Sequence, residues 1–128
     1  MIKISFKKVA EAHCRILKVV IEDYATSFAP QLKDTSDTGP YMEAILTTDI
    51  AAKVYLVLRS KIEANKAEHT FSLKVSEAVV LHDACNHAME HGRDDVYVFN
   101  AIMKCRDSID EQLKAILPKF KNPILLLN

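Results

Sequence analysis

Gly39 and Gly92 are the only two glycines in 128 residues, and only four prolines accompany them. A many-stranded sandwich or barrel turns roughly every ten residues and relies on glycine at many of those turns. So few turn residues favour long helices with few connections. The 49% hydrophobic content is above that of a disordered chain. The length is that of a single domain, residues 1–128, able to bury a core without help from disulfides or metal.

Charge narrows the function classes. Seventeen Lys and Arg balance seventeen Asp and Glu, so the chain lacks the net field that draws a protein to nucleic acid or an anionic membrane. Cys14, Cys85 and Cys105 form an odd set without C-x-x-C spacing, which reads as buried thiols in a reducing compartment. No apolar run approaches the roughly 18 residues of a membrane span, and the start of the chain lacks the apolar core of a secretory signal. The expected location is cytoplasmic, without a membrane partner.

Hydrophobic spacing places four helices. Phe6, Val9, Ala10, Leu17, Val20, Ile21 and Tyr24 recur every three or four residues, predicting a first helix that ends at Pro30. A loop-forming run over 33–40 separates it from a second helix over about 40–65, with the stripe Met42, Leu46, Ile50, Val54, Val57, Leu58 and Ile62. After a polar connection that includes His69, Phe71, Leu73 and Val75 alternate with polar residues, as in a strand of about three to five residues. A third helix follows over about 76–91, closed by Gly92 at a position that accepts a left-handed backbone. Asp94 and Asp95 suit the start of a fourth, which turns Phe99, Ile102, Ile109, Leu113 and Ile116 inward and stops before Pro118. The predicted fold is all-α: an antiparallel four-helix bundle of two helical hairpins, with room for a minimal two-stranded β-ribbon at one end.

Two features complicate this outline. The run Ile4-Ser5-Phe6-Lys7 lines up with Phe71-Ser72-Leu73-Lys74, so hairpins over 4–65 and 71–117 are candidates for a duplication, against the alternative of chance similarity between two helix starts. Under duplication, the segments at 2–6 and 71–75 would pair. The C-terminal tail, 122–128, carries Ile124, Leu125, Leu126 and Leu127 in succession behind Pro123. Left in water these would form a sticky patch, so they are expected to form an interface, either holding a homodimer together or docking on their own subunit.

The polar cluster that invites chemistry lies at 82–91, with His82, Asp83, Cys85, His87, Glu90 and His91. On a helix, His82 and His87 lie about 140° apart and cannot grip one ion, whereas His87 and His91 lie about 40° apart and can. Glu90 joins from the adjoining edge, and His82 with Cys85 form a second pair. Further ligands for a metal must come from elsewhere: His13 with Glu11 or Cys14, Asp107, Glu111 or His69. The ordinary alternative makes His87 and Glu90 solvated side chains, His91 a partner of free carbonyls at a helix end, and His13 a satisfied core residue.

No phosphate loop, nucleophile elbow or H-E-x-x-H occurs. Lys7, Lys8, Arg15 and Lys18 make the first helix locally basic without interleaved exposed aromatics. The leading expectation is a non-enzymatic protein-interaction or self-association module without a cofactor, its partner being itself or another protein. A metalloprotein or metal-dependent enzyme using a transition metal at His87, His91 and Glu90 is the alternative. A regulatory nucleic-acid binder stands third.

Overall fold

The computed structural model describes residues 2–36, 38–92 and 95–116. Their order is β1 (Lys3–Ala10), α1 (Glu11–Thr26), a short α2 (Ala29–Lys33), α3 (Thr38–Glu63), β2 (Glu68–Lys74), α4 (Val75–His91) and α5 (Val96–Ile116). Helices make up 76% of the described residues, and the two strands form a small antiparallel sheet. No helix among these residues is long and apolar enough to cross a membrane.

The first helix starts later than its apolar spacing predicts. Phe6 and Val9 belong to β1, and helix begins only at Glu11. The cause is a β-bulge: Phe6 pairs with Phe71 and Val9 with His69, so a three-residue step on β1 faces a two-residue step on β2. Lys8 takes a positive φ of 51° there. The inserted residue turns a two-residue alternation into a three-residue spacing, which imitates a helix. Strand β2 is seven residues long and includes His69, which the sequence placed in a loop.

The ribbon supplies part of the core. Ile4, Phe6, Phe71 and Leu73 are buried from its inner face, with the Phe6 and Phe71 rings stacked at a centroid separation of 4.9 Å. Beneath them α1 packs against α3, α4 and α5, while α4 also packs against α3 and α5. Leu17, Ile21, Val54, Leu58, Leu81 and Ile109 form the dense centre.

Not every predicted stripe faces inward. On α3, Val54 and Leu58 are buried as expected, but Met42 and Leu46 are exposed, and Ala44 and Ala51 occupy buried positions. Small residues let α3 approach its neighbours closely, and a stripe built on large residues passes over them. Phe99 is likewise 39% exposed, while Ala101 beside Ile102 is buried.

The helix ends also differ from expectation. Gly92 has φ −84° and ψ 178°, an ordinary extended backbone, so left-handed freedom is not its role. A Cβ there would collide with the Ala88 carbonyl oxygen. The left-handed position belongs to Asn65, whose φ of 53° turns the chain out of α3. Pro30 sits in the first turn of α2, and so opens a helix as well as following one. At the start of α5, Asp95 accepts hydrogen bonds from the backbone N–H of Tyr97 (2.9 Å) and Val98 (3.3 Å).

The two halves run strand, helix, helix in the same order, apart from the short α2. Buried residues recur with matching spacing: Cys14, Leu17, Val20 and Ile21 on α1 against Ala78, Leu81, Ala84 and Cys85 on α4. Ala51, Val54 and Leu58 on α3 match Ile102, Cys105 and Ile109 on α5 in the same way. In the ladder Ser5 stands opposite Ser72, Ile4 opposite Leu73 and Phe6 opposite Phe71.

Candidate functional site

The C-terminal half of α4, the middle of α1 and the first turns of α5 enclose a pocket of about 480 Å³. Its walls are largely apolar, from Ile16, Val19, Val20, Met89, Val98 and Ile102, with Arg15, Asp23, His87 and His91 as the polar members. The helical repeat explains this collection. Val19 and Asp23 are four residues apart, as are His87 and His91, so each pair projects from one side of its helix.

Both sequence-predicted histidines line this pocket, and their rings lie 4.5 Å apart. His87 also tilts against the Tyr24 ring at 5.5 Å. Burial, with the Asp83 and Glu43 carboxylates nearby, holds the Tyr24 hydroxyl above its ordinary value. The Nδ1 atom of His91 lies 3.0 Å from the His87 carbonyl oxygen and, as an N–H, donates to it. Glu90 is exposed and does not line the pocket. Among the described residues no group of three or more His, Cys, Asp or Glu side chains is disposed to hold a metal ion.

The other candidate ligands are scattered. His82 lies on the α4–α5 seam, with Nδ1 3.9 Å from Asp83 and Nε2 4.0 Å from Asp110. Cys85, its proposed companion, is buried against Cys105. A hydrogen bond with Cys85, and then burial, push the Cys105 thiol well up. His13 packs edge-on against Tyr97 at 5.5 Å. Asp107 pairs with its neighbour Arg106 at 2.9 Å. The basic run is divided: Arg15 lies 3.4 Å from Glu11 and Lys18 lies 3.3 Å from Glu22, which offsets two of its four charges.

His69 and Glu11, each a candidate donor in the sequence, form a pair that the sequence did not join. The His69 side chain is 1% exposed, and its Nε2 lies 3.8 Å from Glu11 Oε1. That separation is too long for a hydrogen bond, and neither atom has another partner among the described residues. The available signal was the alternation itself, since His69, Phe71 and Leu73 share one strand face. Cys14 is also close to Glu11, but burial, reinforced by that carboxylate, pushes its thiol up to about 11. A thiol so raised is protonated at neutral pH.

Ile124, Leu125, Leu126 and Leu127 lie outside the described residues. Comparison of the chain with protein-family models, with curated proteins and with solved structures finds no match.

Proposed function

We propose that this chain is a non-enzymatic helical module that self-associates through the apolar face around the α1–α4–α5 pocket. Its helices form an antiparallel bundle of two duplicated hairpins. The observation that carries the self-association reading is the exposure of large apolar side chains beside the pocket. Val19, 54% exposed, and Phe99, 39% exposed, line it, and on the same first turn of α5 Val96 is 72% and Tyr97 54% exposed. Single exposed apolar residues are ordinary, but several gathered beside an apolar concavity mark an interaction surface. Full burial of a side chain such as Val or Phe contributes about 1.5–3 kcal/mol, so a few of them suffice to anchor a partner. A second copy presents the same pocket and the same exposed apolar side chains, as a two-fold contact requires.

Concentration-dependent NMR tests this reading. Signals from Val19, Val98 and Phe99 should shift between dilute and concentrated samples, and Phe99→Asp should abolish the shifts while leaving the core signals in place. Concentration-independent spectra throughout would refute it. A second reading, a transition metal held by His87 and His91, draws on their shared pocket wall. Metal analysis of the purified protein separates the two, because a stoichiometric metal lost in His87→Ala favours the second.

A further inference from the structure

Successive side chains on a regular strand point to opposite faces of the sheet. Lys7 and Lys8 nonetheless both line one cleft of about 130 Å³, set between β1, the start of α1 and the middle of α5. The bulge is the cause. Between Phe6 and Val9 two residues of β1 face a single residue of β2, and the extra residue breaks the alternation. Lys8 carries the positive φ, and its N–H donates to the Thr70 hydroxyl at 3.2 Å, which pins the bulge.

Other elements complete the cleft. Its floor is apolar, from the buried residues Phe6, Leu17 and Cys105. Lys104, His13 and Ser108 join the two lysines around it, and no carboxylate is among the described residues that line it. Lys104 and Ser108 are four residues apart and share one side of α5. Gln112 holds that helix to β1: its Oε1 accepts the Ser5 N–H at 2.9 Å, and its Nε2 donates to the Ser5 carbonyl at 2.8 Å. The same Nε2 donates to the Ser108 hydroxyl oxygen at 3.2 Å, which leaves the Ser108 O–H free to donate elsewhere.

We propose that this cleft binds a single phosphoryl group. The chain as a whole is neutral, so the concentration of charge is local. A cleft lined by one sign of charge over low-dielectric walls focuses its field and gathers the counter-ion. Three ammonium groups and a hydroxyl offer donors to oxygen, and charge-assisted hydrogen bonds are the strong ones. At about 30 Å³ per water the cleft holds about four waters, the bulk of one tetrahedral oxyanion. A nucleic-acid backbone needs a stripe of cations that follows successive phosphates. Here the stripe stops, because Arg15 and Lys18 further along α1 face Glu11 and Glu22.

An NMR titration of the 128-residue chain with sodium phosphate, at fixed pH and with ionic strength held by sodium chloride, tests this. The Lys8, His13 and Ser108 amides should shift along one saturable curve. Lys8→Gln with Lys104→Gln, both at exposed positions, should weaken binding at least about tenfold while the Phe6 ring signals stay in place. Lys53→Gln, on α3, should leave the affinity unchanged. Methyl phosphate identifies the source: tighter binding than phosphate assigns a phosphomonoester, weaker binding the free ion. Shifts that never saturate, or that chloride alone reproduces, overturn the proposal. So does a double variant of unchanged affinity, or a single-stranded oligonucleotide that binds at these residues where phosphate does not.

Discussion

Entry into α1 passes through Ala10, which offers no side-chain cap, whereas entry into α4 is held by Glu77, whose carboxylate accepts the Lys74 N–H at 2.8 Å. The first unit carries the bulge at Lys8 and a 26-residue α3 whose early turns expose Met42 and Leu46. The second has a strand without the inserted residue, and in α5 a helix capped at Asp95 and clamped to β1 by Gln112. Both nonetheless bury apolar residues with matching spacing. The matching spacing depends on where side chains meet, while the caps, bulge and edges differ around it.

The comparison is broken most severely in the core. Leu17→Ala and Leu81→Ala occupy matching places in the two units, and each should cost about 2–5 kcal/mol in denaturant unfolding. Leu46→Ala, on the exposed turns of α3, should change stability by less than about 0.5 kcal/mol. A costly Leu46 substitution would show that this face of α3 is covered in solution.

The two glycines give the next contrast. Gly92→Ala forces a Cβ against the Ala88 carbonyl and should destabilise by about 1–3 kcal/mol, read as a lower melting temperature. Gly39→Ala meets nothing within 4 Å on the first turn of α3 and should stabilise by about 0.4–1 kcal/mol. Opposite signs for the pair are the expected result.

Much of the architecture was legible because strong periodicity marks long elements. The second, third and fourth helices lie within a few residues of where their stripes and breakers put them, and the alternation at Phe71 and Leu73 found β2. Three features were concealed for separable reasons. The bulge at Lys8 disguised a strand as a helix start. Alanine at positions 44, 51 and 101 looked neutral in sequence and proved buried. His69 occupies a core-facing strand position, yet its polar character led it to be placed in a loop. The candidate site was half legible: His87 and His91 share a helix side, but the apolar pocket they line depends on Val19 and Ile102, distant in sequence.

Smaller effects sharpen the contrast at the ends and edges. Asp95→Ala should cost about 0.5–2 kcal/mol through its two N–H contacts, while Ala10→Asp should stabilise α1, which lacks such a cap. Gln112→Ala should cost about 1 kcal/mol and speed Ser5 amide exchange without altering Ser72. The Cys14 thiol is raised in the folded state, so folding favours its protonated form. The associated stability is present below about 9 and lost as pH rises from there toward about 11. Cys14→Ala should flatten that decline in a pH series of unfolding midpoints.

Self-association is tested most directly by sedimentation equilibrium of the 128-residue chain from low to high micromolar concentration. The account predicts a reversible rise from monomer to dimer, and a Val19→Asp, Phe99→Asp chain of unchanged helicity that stays monomeric throughout. A parent chain that remains monomeric at the highest concentration, or a double variant that dimerises as readily as the parent, would contradict it.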